Sequence, residues 1–139
     1  MEIEKVMHTP AEWVEADTPV AEAARRMQAA DIGALPVGKD DRLIGMVTDR
    51  DLALKVLGEG RDPAKTTVEQ VMTPGIIWCR TTQTVEDAVY LMEQKKIRRL
   101  PVIDDKKRLV GMLSLGDVAD ALPQRLVGEL INAVADHHR

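Results

Sequence analysis

The stretch Ile32-Gly33-Ala34-Leu35-Pro36-Val37 returns as Ile97-Arg98-Arg99-Leu100-Pro101-Val102, sixty-five positions further on. The same offset carries Val6-Met7 to Val71-Met72, Trp13 to Trp78, Val20 to Val85, Ala23 to Ala88 and Met27 to Met92. One residue is then inserted in the second copy. After it, Arg42-Leu43-x-Gly45-Met46 returns as Arg108-Leu109-x-Gly111-Met112, and Asp51 returns as Asp117. A self-match sustained in this way marks a duplicated structural unit.

Each copy reads as β-α-β-β-α. A short strand is expected around Trp13 and Trp78. Val20, Ala23, Ala24 and Met27, like Val85, Ala88, Val89 and Met92, follow the spacing of one buried helical stripe. Thr18-Pro19 reads as a helix cap followed by proline at the first helical position. Two strands follow, Ala34 to Val37 and Leu43 to Val47, with counterparts at Leu100 to Ile103 and Leu109 to Leu113. The polar turns between them contain Asp40-Asp41 and Asp104-Asp105, which suit turn geometry rather than a metal cluster. Second helices are expected to start near Asp49 and Leu115. The organisation expected is a first motif over 1–60, a linker and lead-in over 61–70, a second motif over 71–122, and a C-terminal helix and tail over 123–139. In that tail Leu126, Val127, Leu130, Ile131 and Val134 form a further helical stripe, suited to cover a core or a partner subunit. The expected fold is α/β (α+β): two pseudo-symmetric units packed face to face, because one such unit alone leaves too much apolar sheet exposed.

Composition narrows the function. The 139 residues carry a net charge of -4 with 45% apolar and 30% charged residues, an ordinary globular balance. Overall attraction to nucleic acid or to an anionic membrane is not expected. Trp13, Trp78 and Tyr90 are the aromatic residues, too few for a base-stacking platform. No apolar run reaches the roughly 20 residues that span a bilayer, and the first residues lack signal-peptide character, so the expected location is cytoplasmic. The single cysteine, Cys79, aligns with Val14 and reads as a small buried hydrophobe. His8 stands alone, and His137-His138 read as a frayed tail. No nucleophile–base or metal pattern is present, so neither a catalytic residue nor a metal ligand is assigned and the chain is not expected to be an enzyme.

Two segments carry polar chemistry: Gly45-Met46-Val47-Thr48-Asp49-Arg50-Asp51 and Gly111-Met112-Leu113-Ser114-Leu115-Gly116-Asp117. In each, a strand runs straight into a helix. Unpaired N–H groups at that junction suit an anion, a carboxylate can accept from ribose hydroxyls, and the Thr48 hydroxyl can donate to a phosphate. The same Thr48/Asp51 and Ser114/Asp117 spacing also fits plain helix capping, so the two readings stand side by side.

Val-Met-(His/Thr)-(Thr/Pro), Leu-Pro-Val and Gly-h-h-(Thr/Ser)-x-x-Asp (h, apolar) together resemble the signature of the CBS motif, and two in tandem resemble a Bateman module. The resemblance spans roughly residues 6–122. It is nearest to small stand-alone bacterial two-motif proteins with no attached enzyme or transporter domain. It implies a regulatory module that binds an adenosine-containing ligand (AMP, ADP, ATP or S-adenosylmethionine), requires no cofactor, and pairs into a homodimer, with a regulated protein partner conceivable. It further implies two clefts. One would join Thr48 and Asp51 to Ala88, Ile97 and Arg98. The other would join Ser114 and Asp117 to Thr18, Ala23, Ile32 and Gly33. The basic pair Arg98-Arg99 favours the first for a phosphorylated ligand, since guanidinium binds phosphate bidentately. Arg50 is a weaker candidate. The alternative for Arg98-Arg99 is a solvated pair guarding an edge strand. The alternative for the whole chain is a structural or protein-interaction member of the family that binds no ligand.

Overall fold

The computed structural model describes residues 1–40, 42–121, 123–125, 128–129 and 132. The chain divides into two α+β units. One is contiguous, Glu12–Ile76; the other joins Met1–Ala11 to Ile77–Arg139. They are called the Asp51 unit and the Asp117 unit below.

In the Asp51 unit the order is β1 (Val14–Glu15), α1 (Val20–Ala30), β2 (Ala34–Lys39), β3 (Arg42–Thr48), α2 (Asp49–Asp51) continuing as a π-helical stretch (Leu52–Leu57), α3 (Val68–Val71) and β4 (Thr73–Pro74). The sheet order is β1-β2-β3-β4. β1 runs parallel to β2, and the other two pairings are antiparallel. The Asp117 unit repeats the plan with a 3-10 turn (Ile3–Lys5), β5 (Cys79–Arg80), α4 (Val85–Lys95), β6 (Arg99–Ile103), β7 (Leu109–Ser114) and α5 (Leu115–Ala121). Its sheet order is β5-β6-β7.

The helical stripes form the two cores, with one revision. Val20, Ala23 and Met27 of α1 are buried against Leu35, Val37 and Val47, whereas Ala24 faces solvent. In α4, Val85, Ala88 and Met92 are buried against Leu100, Val102 and Leu113, and Val89 is half-buried. Three of every seven positions suffice for a sheet-facing helix, so a fourth small residue stays at the margin. The cap of α1 also differs from expectation. Pro19, not Thr18, holds the N-cap position, and no side chain caps the helix. Its counterpart Thr84 caps α4 in a reciprocal arrangement with Asp87.

The inserted residue of the second copy falls in the β6–β7 turn. β2 and β3 are joined by two residues, with Asp40 at φ 53°. β6 and β7 are joined across 104–108, with Lys107 at φ 62°. The Asp104 carboxylate organises the longer turn. Backbone N–H groups of Arg108 and Lys106 and the Arg108 guanidinium donate to it, holding its carboxyl below the usual range.

The lead-in segments are exchanged between the repeats. Val71-Met72 repeats Val6-Met7, yet α3 and β4 complete the sheet of the Asp51 unit, where Met46 pairs with Thr73. Correspondingly, Ile3 is fully buried in the Asp117 core and His8 bridges Met112 of β7. The crossing explains the glycine of each Gly-h-h-(Thr/Ser)-x-x-Asp segment. A Cβ at Gly45 would lie 2.5 Å from the carbonyl oxygen of Thr73, and one at Gly111 would lie 2.6 Å from Met7 Sδ and 3.1 Å from the carbonyl oxygen of His8. Only glycine admits a backbone this close.

The apolar stripe expected at Leu126, Val127, Leu130, Ile131 and Val134 lies outside the described residues, as do His137 and His138. Near it, Gln124, Arg125, Gly128, Glu129 and Asn132 are helical. Among the described residues no helix is long and apolar enough to cross a membrane.

Candidate ligand-binding turns

The two strand-to-helix turns are built alike. In the Asp51 unit, β3 ends at Thr48, which pairs with Ala34 at the start of β2, and Asp49 N–H donates to the Gly33 carbonyl at 3.0 Å. Gly33, Thr48 and Asp51 are thereby gathered at one end of the sheet. In the Asp117 unit, Ser114 pairs with Arg99, and Leu115 N–H donates to the Arg98 carbonyl at 2.8 Å. Arg98, Arg99, Ser114 and Asp117 meet at the matching end.

The capping geometry is present in both turns. Asp51 N–H donates to Thr48 Oγ1 at 3.1 Å, and Asp51 Oδ2 accepts from Thr48 N at 2.9 Å and Thr48 Oγ1 at 3.1 Å. Asp117 N–H donates to Ser114 Oγ at 3.1 Å, and Asp117 Oδ2 accepts from Ser114 N at 2.9 Å. Each carboxylate is therefore fixed in direction before any ligand arrives, the preorganisation that makes a polar contact effective.

Beyond the caps the turns diverge. Asp51 is 8% exposed and its Oδ1 lies 3.1 Å from Lys55 Nζ, which also donates to the Val71 carbonyl at 2.9 Å. Asp117 is more open, and its Oδ2 lies 2.8 Å from His8 Nδ1. Reading His8 as isolated therefore missed a contact. The repeat alignment sets His8 opposite Thr73, and only the exchange of lead-ins brings it onto β7. Lys55 lies four residues after Asp51 on the same helix, a spacing that marks ion pairs in sequence.

The remaining candidates separate by exposure. Thr18, Ala23 and Ala88 are buried, the two alanines at 0% within the cores of their units. Ile32 and Ile97 are half-buried and pack against those cores. Arg98 and Arg99 are exposed, and neither forms an ion pair among the described residues. Arg98 precedes β6, and Arg99 pairs with Ser114 of β7 on one side, whereas β5 meets β6 at Val102 and Ile103, so among the described residues no strand borders the pair on the other side. Arg50 is exposed, with its N–H on Asp49 Oδ1. Cys79 is buried and pushed up to about 12 by desolvation, which makes it an inert thiol. Among the described residues, no three His, Cys, Asp or Glu side chains gather to hold a metal ion.

The chain is thus a duplicated unit with exchanged lead-ins and a carboxylate fixed at each strand-to-helix turn. The CBS domain model matches residues 3–58 and 68–124, and the chain belongs to that family. Hypoxic response protein 1 of Mycobacterium tuberculosis is 38% identical over 113 residues, covering 81% of this chain and 78% of that protein. The crystal structure of Hypoxic Response Protein I with two coordinated zinc ions superposes with TM-score 0.78 at 35% identity, covering 88% of this chain and 100% of that one. The CBS domain pair of protein MJ0100, in complex with methylthioadenosine and S-adenosyl-L-methionine, superposes with TM-score 0.76 at 26% identity, covering 93% and 97%. CBSX2 in complex with AMP superposes with TM-score 0.71 at 31% identity, covering 86% and 94%. CBS pairs are regulatory ligand-binding modules, and two of these neighbours, the MJ0100 pair and CBSX2, bind adenosine-containing ligands.

Proposed function

We propose that this chain senses an adenosine-containing ligand, with AMP, ADP, ATP and S-adenosylmethionine as the candidates, and that it regulates rather than catalyses. The supporting observation is the carboxylate fixed by its own Thr48 or Ser114 cap in two equivalent turns. Asp51 and Asp117 accept from ribose hydroxyls; Ser114 donates to the polar tail of the ligand, and Thr48 does so once its hydroxyl hydrogen turns away from Asp51 Oδ2. Gly33, Ile32 and Ile97, with Thr18, Ala23 and Ala88 behind them, shape the apolar surface for the base. Arg98 and Arg99, exposed and without an ion pair among the described residues, supply the phosphate contact. A cytoplasmic homodimer is part of this reading, with exposed Leu54 and Leu57 as its apolar surface.

Isothermal calorimetry of the purified chain with the four ligands tests it, repeated on Asp51→Ala and Arg98→Ala. Saturable binding weakened by both changes is the expected result. A second reading has its own support: Lys55 and His8 already engage both carboxylates. In it the chain is a protein-interaction module, and none of the four ligands binds.

A further inference from the structure

We propose that His8 is an internal ligand of the Asp117 turn: it holds the carboxylate oxygen that a ribose hydroxyl would take, and its displacement sets the affinity of that turn. The inference rests on the adenosine-binding reading above.

The comparison of the two turns carries it. Among the described residues, Asp51 Oδ2 accepts only from Thr48, a member of the turn itself, and Oδ1 is met by Lys55 from the same helix. The position corresponding to Lys55 in the second copy is Ala121, which offers no cation. The partner there is His8, 109 residues away in sequence, with Nδ1 on the same oxygen that accepts from Ser114 N–H. Thr73, the counterpart of His8, makes no side-chain hydrogen bond among the described residues. The imidazole is thus specific to one turn.

The ring can leave without disturbing the fold. His8 is pinned by its backbone, donating to the Met112 carbonyl at 3.0 Å and accepting from Met112 N–H at 3.1 Å. Its side chain is 48% exposed, so a rotation about the side-chain bonds releases Asp117 with little loss of packing. Asp117 Oδ1 has no partner among the described residues. One hydroxyl can therefore dock while the ring is in place. A vicinal diol, which seeks both oxygens, must displace it. Apparent affinity then falls by the fraction of molecules whose turn is open.

Calorimetry of the full chain, wild type against His8→Ala and His8→Thr, tests this with AMP, S-adenosylmethionine and deoxyadenosine monophosphate, which lacks one ribose hydroxyl. His8→Thr places the counterpart residue on the same backbone, and thermal melts check both variants for folding. If the ring closes about nine turns in ten, both variants bind AMP about tenfold more tightly at one site, or show an added site. The gain shrinks for the deoxy ligand and vanishes when Asp117→Ala is added. A silent wild type with binding variants also supports the assignment. Equal isotherms in a binding wild type overturn the role of His8 alone. Weaker binding in the variants overturns it too, making the ring a direct ligand contact. Silence in all three proteins overturns both this inference and the adenosine reading.

Discussion

Lys55 Nζ lies 3.1 Å from Asp51 Oδ1, and through its second bond to the Val71 carbonyl it ties the turn to the lead-in that crosses β3. Asp51 therefore has a structural duty independent of any ligand. Asp51→Ala removes the reciprocal cap and the partner of a half-buried lysine, and is predicted to cost about 1–3 kcal/mol. Lys55→Met should cost less, about 0–1 kcal/mol, because that side chain is partly in water. Urea unfolding of both variants checks the order; equal losses would contradict it.

Gly45 and Gly111 are predicted to resist even alanine. The new methyl would meet the Thr73 carbonyl in one unit and Met7 with the His8 carbonyl in the other. Each change is expected to destabilise by about 1–3 kcal/mol through overpacking. Gly60→Ala meets nothing within 4 Å, but its φ of 69° adds strain. Increased amide exchange at Met7 and His8 in Gly111→Ala would locate the damage; unchanged protection there would refute the crossing as its cause.

The buried thiol gives a pH signature. Cys79 has an ordinary value of 9.0 and is pushed up to about 12 in the fold. The unfolded chain ionises first, so its contribution to stability is whole below pH 9 and is lost as pH rises toward 12, by up to about 1.4 kcal/mol per unit. Cys79→Val, which copies Val14, should flatten that alkaline limb in urea titrations. A slope unchanged by the substitution would show that another group causes it. At pH 8 the native thiol should also ignore a disulfide reagent that labels it in denaturant.

Thr84 caps α4 whereas Pro19 leaves α1 without a side-chain cap. Thr84→Ala is predicted to cost about 1 kcal/mol, measured by thermal unfolding. No loss would mean that the Asp87 side chain alone secures the helix start.

Much of this architecture was legible because the repeat is explicit. Gly45 to Asp51 and Gly111 to Asp117 announced strand, turn and capped helix, and Ile32 to Val37 with its copy announced the central strands. Local periodicity could not report where Val6-Met7 and Val71-Met72 pack, since nothing in either dipeptide says which sheet it will join. That is why His8 looked isolated and why the glycines looked like generic motif residues. Ala24 was misplaced because the helical spacing marks a stripe about four residues wide, and the sheet decides its edge. The π-helical stretch after Asp51 has no sequence mark that distinguishes it from the α-helix of the second copy.

The exchanged lead-ins also set an order of assembly. The Asp51 unit closes within a contiguous segment, whereas the Asp117 unit must bring His8 back to a partner 109 residues downstream. Such remote closure is slow relative to local structure. A ribosome-bound chain that has emerged as far as Ile76 holds all of one sheet and only the opening strip of the other. The first eleven residues then wait, with Ile3 uncovered, until the last strand exists to receive them.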